Sequence, residues 1–445
     1  MIKATFFSNF LTTSDQSAAL LLKKLSYLDH VIYLKNVNQP VIYFNAENYL
    51  CVQNNATSFY KKNTHNQYIK QKETPVDFLK MHSQANPDQH WSGGYVGFIG
   101  YDYAANLALQ KPLLNQPALF IGTFLYRLIN TADGWYFEST ADDAAHVFDQ
   151  IKLKINQPCP EIHFSLNHPL NARWNKTDYQ KSFQAVQDYI IAGDCYQINL
   201  TQEFTSTCQG SLVDTAAQLW QLTDAPYSGY LRIKDFELLS CSPELFIDFK
   251  DQRHIITKPI KGTMPRFDDP VLDEQSKQTL KHSEKDMAEN VMIVDLLRND
   301  LSVYAEIGSV KTPKLFNIES FNQVHHLVSE IEATLKPEIC PFEMLITALP
   351  GGSITGAPKI RAMQIIDELE GGARGAYCGS MGYFNFDGTG SWNILIRSIQ
   401  KYQDHISLWA GGGITIASDC DAEYQECFDK VEAILNLLNT WHKPE

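Results

Sequence analysis

The sequence predicts an α+β fold built mainly on antiparallel sheet, for three reasons. The chain is 44% hydrophobic and 12% aromatic over 445 residues, enough apolar material for a large core and, on length alone, for roughly two to three domains. Strand-like runs and helix-period runs both recur along it. They follow no steady alternation of strand, helix and strand, which a doubly wound parallel sheet would require.

Taken in order, HVIYLKN, PVIYFNA and PALFIGTFLYRLI are short apolar runs broken by Asn, Pro and Gly, and they read as strands. A polar, proline-bearing stretch from Gln157 to Asn175 ends that pattern. It places a boundary near residue 165, with a strand-rich region 1–165 before it and a region 166–445 after it. Beyond Asp178, the residues Tyr179, Phe183, Val186 and Ile190 recur at spacings of three and four, and Gly193 follows as a stop. A helix is expected there. The strand CYQINLTQEF comes next. Further helices are expected from Ser283 (SEKDMAENVMIVDLLRNDL), after Pro358 (KIRAMQIIDELE), and from Asp421 through Trp441 as one continuous element. Between them YLRI, ELFIDF, SWNILIRSIQ and HISLWAGGGITI read as strand-like.

Composition excludes several classes. With 37 Lys plus Arg against 51 Asp plus Glu the formal charge is −14, which argues against a general nucleic-acid binder, since that needs a basic face to displace phosphate counterions. No apolar run approaches the roughly 20 residues needed to span a bilayer, and the opening MIKATFFSNFLTTSDQ lacks a leader pattern, so no membrane association and a cytoplasmic location are expected. The nine cysteines are scattered and contain no CxxC pair. Neither a disulfide framework nor a thiolate zinc site is expected.

Several segments could carry chemistry. In the last helix Glu423, Glu426 and Lys430 fall within about 60° of one another, apart from the apolar face of Phe428, Val431, Leu435 and Leu438. Alone this reads as a solvated charged face. A second acidic helix, in which Glu289 stands among Met287, Val291 and Met292, changes the weighing. A few carboxylates from two helices suit Mg²⁺, which takes one or two protein carboxylates and completes its shell with water and an anionic ligand; the plainer reading is an ion pair of Glu289 with Arg298 or Lys285. PGGSITGAPK (Pro350 to Lys359) runs into a helix with Pro358 in its first turn, and AGGGI (Ala410 to Ile414) follows a strand, so both read as glycine-rich loops suited to an anion. The first is not a nucleotide P-loop, because Ala357 stands where the lysine should be. Arg397 and Tyr377 add a fork donor and a phenol that could hold a carboxylate. Lys261, in KPIKGT, would serve as a nucleophile or base if enclosed in an apolar pocket. His325 and His326 are each as well read as satisfied core groups.

Taken together and in this order, SPE (Ser242 to Glu244), PIKGT (Pro259 to Thr263), AENVMIVDLLRNDL, HHLVS, PGGSITGAPK, YCGSMGY, IRSI, AGGGI and AEYQECFDK closely resemble the chorismate-utilising enzymes. The match is strong from about Asn175 to the C-terminus and weak before that, through WSGGYVGFIGYD (Trp91 to Asp102). The resemblance implies a sandwich of two large antiparallel sheets with helices outside. Gln197 occupies the position that is lysine in the water-using members, which points to the ammonia-using branch. Lys261 occupies a position that is alanine in the anthranilate-forming members and lysine in those that aminate C4 of the ring.

The same resemblance implies roles. Glu289 and Glu426 would ligate Mg²⁺, with Glu423 close by and acting through water. Tyr377, Arg397, Gly411, Gly412 and Lys430 match positions that hold the enolpyruvyl carboxylate and neighbouring oxygens, and Gly262, Thr263 and Thr355 fall in the substrate-binding motifs. Lys261 would attack C2 as the C4 hydroxyl leaves, Glu244 matches the general acid, and His326 matches the active-site histidine. The product would be 4-amino-4-deoxychorismate, a 4-aminobenzoate precursor, with ammonia from a separate glutamine amidotransferase, since no nucleophile elbow of the GxCxG type is present. Pro226, Tyr227 and Ser228 match part of a tryptophan pocket found in some relatives. The competing expectations are an anthranilate-forming enzyme and a catalytically silent subunit that binds an amidotransferase.

Overall fold

The computed structural model describes residues 6–443 apart from 14–15, 38, 64, 75–77, 80–89, 160, 162 and 322–323. Two large sheets dominate. The first runs, from one edge inward, Phe7–Thr12, Gly134–Ser139, Tyr126–Thr131, Val41–Tyr43, Val31–Leu34, Tyr227–Ile233, Phe236–Ser242, Ser398–Tyr402, His405–Ile414 and Gln197–Gln209. The second runs Ile260–Pro265, Val324–Thr334, His254–Lys258, Leu245–Phe249, Gly390–Asn393, Ser380–Asn385, Gly94–Ile99, Pro117–Phe124, Asn48–Gln53, Ala56–Lys62 and Tyr68–Lys70. Neighbouring strands in both pair antiparallel. The α+β sandwich expected from the sequence is therefore the observed architecture. Segments from both sides of residue 165 enter both sheets: Val31–Leu34 pairs with Tyr227–Ile233 in the first, and Gly94–Ile99 with Ser380–Asn385 in the second.

The apolar runs are continuous because these strands are buried on both faces. Ile32, Leu34, Val41 and Tyr43 of the first sheet meet Val96, Phe98, Phe120 and Phe124 of the second in the core between the sheets. The alternate residues Val31, Tyr33 and Ile42 point the other way, into a core closed by outer helices such as Ala18–Lys24, Ala144–Ile155 and Glu432–Asn439. Alternation is present in the backbone but masked in the sequence, since each face is apolar. A helix Glu284–Ser302 covers the second sheet through Ile293, Val294, Leu297 and Leu301.

Three expected elements differ. SWNILIRSIQ is two strands in different sheets, Gly390–Asn393 in the second and Ser398–Tyr402 in the first, and the chain crosses between them at Ile394–Arg397. The last helix is two helices, Cys420–Asp429 and Glu432–Asn439, broken at Val431 (φ −130°, ψ 0°). The break lets Cys427 pack with Tyr179 and Ile198 while Ile434, Leu435 and Leu438 enter a different core, which no single straight stripe could do. AGGGI is not a loop: it completes the strand His405–Ile414, with Gly411 opposite Thr201 and Gly412 opposite Leu200.

Candidate active site

The chain passes from the first sheet to the second at Ser242–Glu244, between Phe236–Ser242 and Leu245–Phe249, and returns at Ile394–Arg397. The two crossings are tied together: Ser242 Oγ donates to Ile394 O at 2.5 Å and Ile394 N donates to Glu244 O at 3.1 Å. Arg397 takes a left-handed φ of +50° in the turn. The crossings thus hold a carboxylate and a guanidinium in one place. Glu244 is 6% exposed. Burial pushes its carboxyl up to about 7, against the opposing pull of Lys261, the Ile260 N–H, Lys430 and Arg397.

Lys261 stands in the strand Ile260–Pro265, half-buried. Burial lowers its ammonium from the usual range and Lys430 lowers it further, opposed by Glu289, Glu244 and Glu426. The sequence-predicted groups from four separate segments therefore share one electrostatic neighbourhood. Gly262 follows at φ +84°, where a Cβ would lie 2.8 Å from the Asp286 carboxyl carbon; glycine is required there for both conformation and space. Thr263 is opposite His326 in the sheet, and its Oγ1 lies 2.9 Å from His326 Nδ1. Burial, followed by Arg397 and His325, depresses the His326 imidazole to about 4. His325 faces elsewhere, between Ser320 and Asp273.

The acidic groups come from two helices. Ser283 caps Glu284–Ser302 by accepting from Asp286 N, and Asn290 is anchored by Ser329 Oγ at 2.5 Å, which fixes the neighbouring, half-buried Glu289. Arg298 pairs instead with Asp295. On the other helix Glu423 is buried and accepts from Ser418 Oγ at 2.7 Å, and Lys430 caps the helix C-terminus with its Nζ 2.5 Å from Glu426 and 2.8 Å from Gly411 O. Burial raises the Glu423 carboxyl and Glu426 raises it further. Burial also pushes Glu426 up, but Lys430, Lys285 and Lys261 more than offset it and hold that carboxyl low. An ideal Cβ on Gly412 would sit 2.8 Å from Glu423 Oε2 and 3.1 Å from Glu426 Oε1, so the glycine is what lets two carboxylates close on the strand. Among the described residues no three His, Cys, Asp or Glu side chains are gathered tightly enough to cage an ion alone. The sparse oxygen donors fit a hard cation that keeps water and a ligand anion in its shell, which is how Mg²⁺ is usually held.

The loop Pro350 to Lys359 is shaped by a short 3₁₀ turn, Gly352–Ile354, and by a two-residue strand, Gly356–Ala357, that pairs with Gln197–Ile198. Pro358 caps the helix Lys359–Glu370 rather than occupying its first turn. Thr355 is buried, its Oγ1 donating to Gly351 O at 3.0 Å. Gln197 is buried against Gly413, where a Cβ would lie 2.3 Å from its Nε2. Tyr377 is buried and stacked on Trp409, with ring centres 6.0 Å apart. Pro226, Tyr227 and Ser228 make a separate contact: Val37 N donates to Pro226 O, Lys35 N to Ser228 O, and Asn393 Nδ2 to Tyr227 O.

Sequence reasoning missed the support beneath these groups. The buried pair Glu370–Arg374 (2.7 Å) ties several parts of the site together: Arg374 donates to Asn199 O and Ile354 O, and Glu370 accepts from Thr201 N and Oγ1. Asn199 and Thr201 lie opposite Gly413 and Gly411, Ile354 adjoins Thr355, and Tyr377 N donates to Arg374 O. Asp102, from WSGGYVGFIGYD, accepts from the N–H groups of Arg374 and Gly375. The i, i+4 spacing of Glu370 and Arg374 spans Gly371 and Gly372, a helix-ending pattern that hides the pair in the sequence. Lys285, read from the sequence as a possible ion-pair partner of Glu289, acts on Glu423 and Glu426.

A cluster of titratable groups at the crossings of a two-sheet α+β sandwich, with glutamates from two helices beside glycine-rich segments, points to a class of enzyme, and comparison with known proteins shows the family. The family model described as chorismate binding enzyme matches residues 29–436, and the chain belongs to that family. It is 41% identical over 371 residues to aminodeoxychorismate synthase component 1 of Salmonella typhimurium, covering 82% of this chain and 81% of that one. It is 41% identical over 367 residues to aminodeoxychorismate synthase component 1 of Escherichia coli, covering 79% and 78%. Among solved structures it is similar to anthranilate synthase component I from Streptococcus pneumoniae, at 25% identity and a TM-score of 0.77, over 89% of this chain and 92% of that one.

Proposed function

We propose that this chain aminates chorismate at C4 to give 4-amino-4-deoxychorismate. One observation carries the reading beyond the family: Lys261 shares one electrostatic neighbourhood with Glu244, Glu289, Glu426 and Lys430, and burial lowers its ammonium from the usual range. A neutral amine there can act as a nucleophile. Similarity to aminodeoxychorismate synthase component 1 from two bacteria supports the same choice over an anthranilate-forming reaction.

In this mechanism Lys261 Nζ forms a bond to C2 of the ring while both ring double bonds shift, C1=C2 to C1=C6 and C5=C6 to C4=C5, and the C4–O bond breaks. Glu244, raised to about 7, gives its proton to the departing oxygen, which leaves as water. Ammonia then adds at C4, both double bonds shift back, and the C2–N bond breaks to return the lysine amine. The two steps replace one difficult displacement. Arg397 and the strand at Gly411 and Gly412 hold the enolpyruvyl carboxylate, with Tyr377 and Lys430 beside it; a planar fork suits a planar anion. Thr263 orients the neutral His326 ring against the substrate, and Gly262 and Thr355 line the seat. Glu289 and Glu426, with Glu423 acting through water, would hold Mg²⁺, which when bound supplies a Lewis acid at the ring carboxylate. Gln197 cannot deprotonate water, which favours ammonia as the nucleophile. The ammonia would come from a separate glutamine amidotransferase.

The test is product analysis with chorismate, Mg²⁺ and ammonium, with and without an aminodeoxychorismate lyase. Lyase-dependent 4-aminobenzoate is expected from the wild type, with a rate loss of at least about 100-fold in Lys261→Ala. Anthranilate and pyruvate without the lyase would overturn the assignment.

A further inference from the structure

At the far end of the hairpin that leads into Ser242, a cavity of about 390 Å³ opens between the sheets. Its walls are aromatic: Tyr49, Tyr60 and Phe120 from the second sheet, Phe236 and Tyr402 from the first. The volume exceeds that of a single water, about 30 Å³, and falls in the range of small-molecule sites, which pair apolar walls with a few placed polar groups.

Two polar groups define what would fit. His30 is 5% exposed and lines the cavity, with its ring between Tyr49 (4.4 Å), Tyr68 (4.7 Å) and Phe120 (5.2 Å). Its Nδ1 has no hydrogen-bond partner among the described residues. An unpaired buried ring nitrogen costs stability unless something occupies the space before it. Lys234 stands in the hairpin turn beside Asp235, with its ammonium 5.6 Å from the Tyr60 ring centre. Burial keeps the His30 imidazole neutral, at about 3, and Lys234, Lys62 and Arg232 act the same way, while Asp29 and Glu47 act on the adjoining Tyr68 and Asp235 lines the cavity beside Lys234. Aromatic walls favour a flat ring, and the Lys234 ammonium in the wall favours an anionic group on it.

We infer that this cavity is a second ligand site for a small aromatic carboxylate bearing a second polar group, with the carboxylate toward Lys234 and the polar group toward His30. The site is separate from the chorismate-binding residues and does not depend on which reaction they perform.

The probe is 4-hydroxybenzoate, titrated calorimetrically into the full chain, with its methyl ester and benzoate as comparisons. Saturable one-to-one binding is expected, undisturbed by chorismate. Removing the charge in the methyl ester, or the cation in Lys234→Asn, should weaken binding about tenfold, the scale of one charge-assisted hydrogen bond. Asparagine tolerates the left-handed φ of +51° at this position. Benzoate and His30→Phe, which remove the second polar contact from either side, should weaken it several-fold. Failure of 4-hydroxybenzoate to saturate by about 10 mM, far weaker than the ~1 mM affinity of a poor ligand, would overturn the inference. So would displacement by chorismate, or identical binding by wild type and both variants.

Discussion

In the proposed reaction Glu244 and Lys261 set opposite pH limits. The acid must be protonated, so its form is lost as pH rises through about 7. The lysine must be neutral, and its lowered ammonium pKa brings that form within reach below the ordinary lysine range. A bell-shaped profile of kcat/KM is expected, with one limb near 7, and Glu244→Gln should abolish that limb along with most of the rate. His326 makes a stability prediction. Its folded value, about 4, lies below the ordinary 6.5. Its contribution is therefore fully present above pH 6.5 and lost as pH falls through 4, amounting to about 3 kcal/mol at 1.36 kcal/mol per unit. Chemical unfolding at pH 7 and pH 4.5 should show a smaller acid loss in His326→Gln than in the wild type.

At the scale of elements, two adjacent glycines should behave differently. A Cβ on Gly411 would lie 2.1 Å from Leu200 O, inside the long strand pair. Backbone cannot yield there cheaply, so Gly411→Ala should destabilise the fold by about 1–3 kcal/mol. On Gly412 the Cβ would meet only the ends of Glu423 and Glu426. Gly412→Ala should keep a near wild-type melting temperature while raising the Mg²⁺ needed for half-maximal activity about tenfold, the cost of displacing carboxylates by one misplaced contact. Both glycines were visible as an anion seat in the sequence. Their place inside a strand was not, because a run of three glycines reads as a turn until the opposite strand, Gln197–Gln209, and the helix above it are known. The same holds for the last helix: its heptad-like spacing is real on each side of Val431, but the two halves serve different cores.

For the whole molecule, the Glu370–Arg374 pair fixes the loop before Lys359, the strand Gln197–Gln209 and the segment carrying Tyr377, while Asp102 joins the N-terminal residues to them. Arg374→Leu leaves a buried carboxylate unpaired and should lower unfolding free energy by about 3–5 kcal/mol in denaturant titrations. The double variant Glu370→Leu with Arg374→Met should recover most of that loss, since the desolvation cost disappears with both charges. If it regains stability without regaining affinity for chorismate, the pair's function is positioning.

The sequence by itself determined the fold class and the family and named the candidate residues, because motifs such as PIKGT and AEYQECFDK keep fixed residue types at fixed local spacing. Whether those residues meet was decided by tertiary structure. Ser242–Glu244 and Ile394–Arg397 come together only because the chain changes sheets at both places, and the Lys261 ammonium is lowered only when burial and Lys430 act on it. Spacing along a chain records local geometry, whereas desolvation and long-range pairing depend on which distant segments fold against one another.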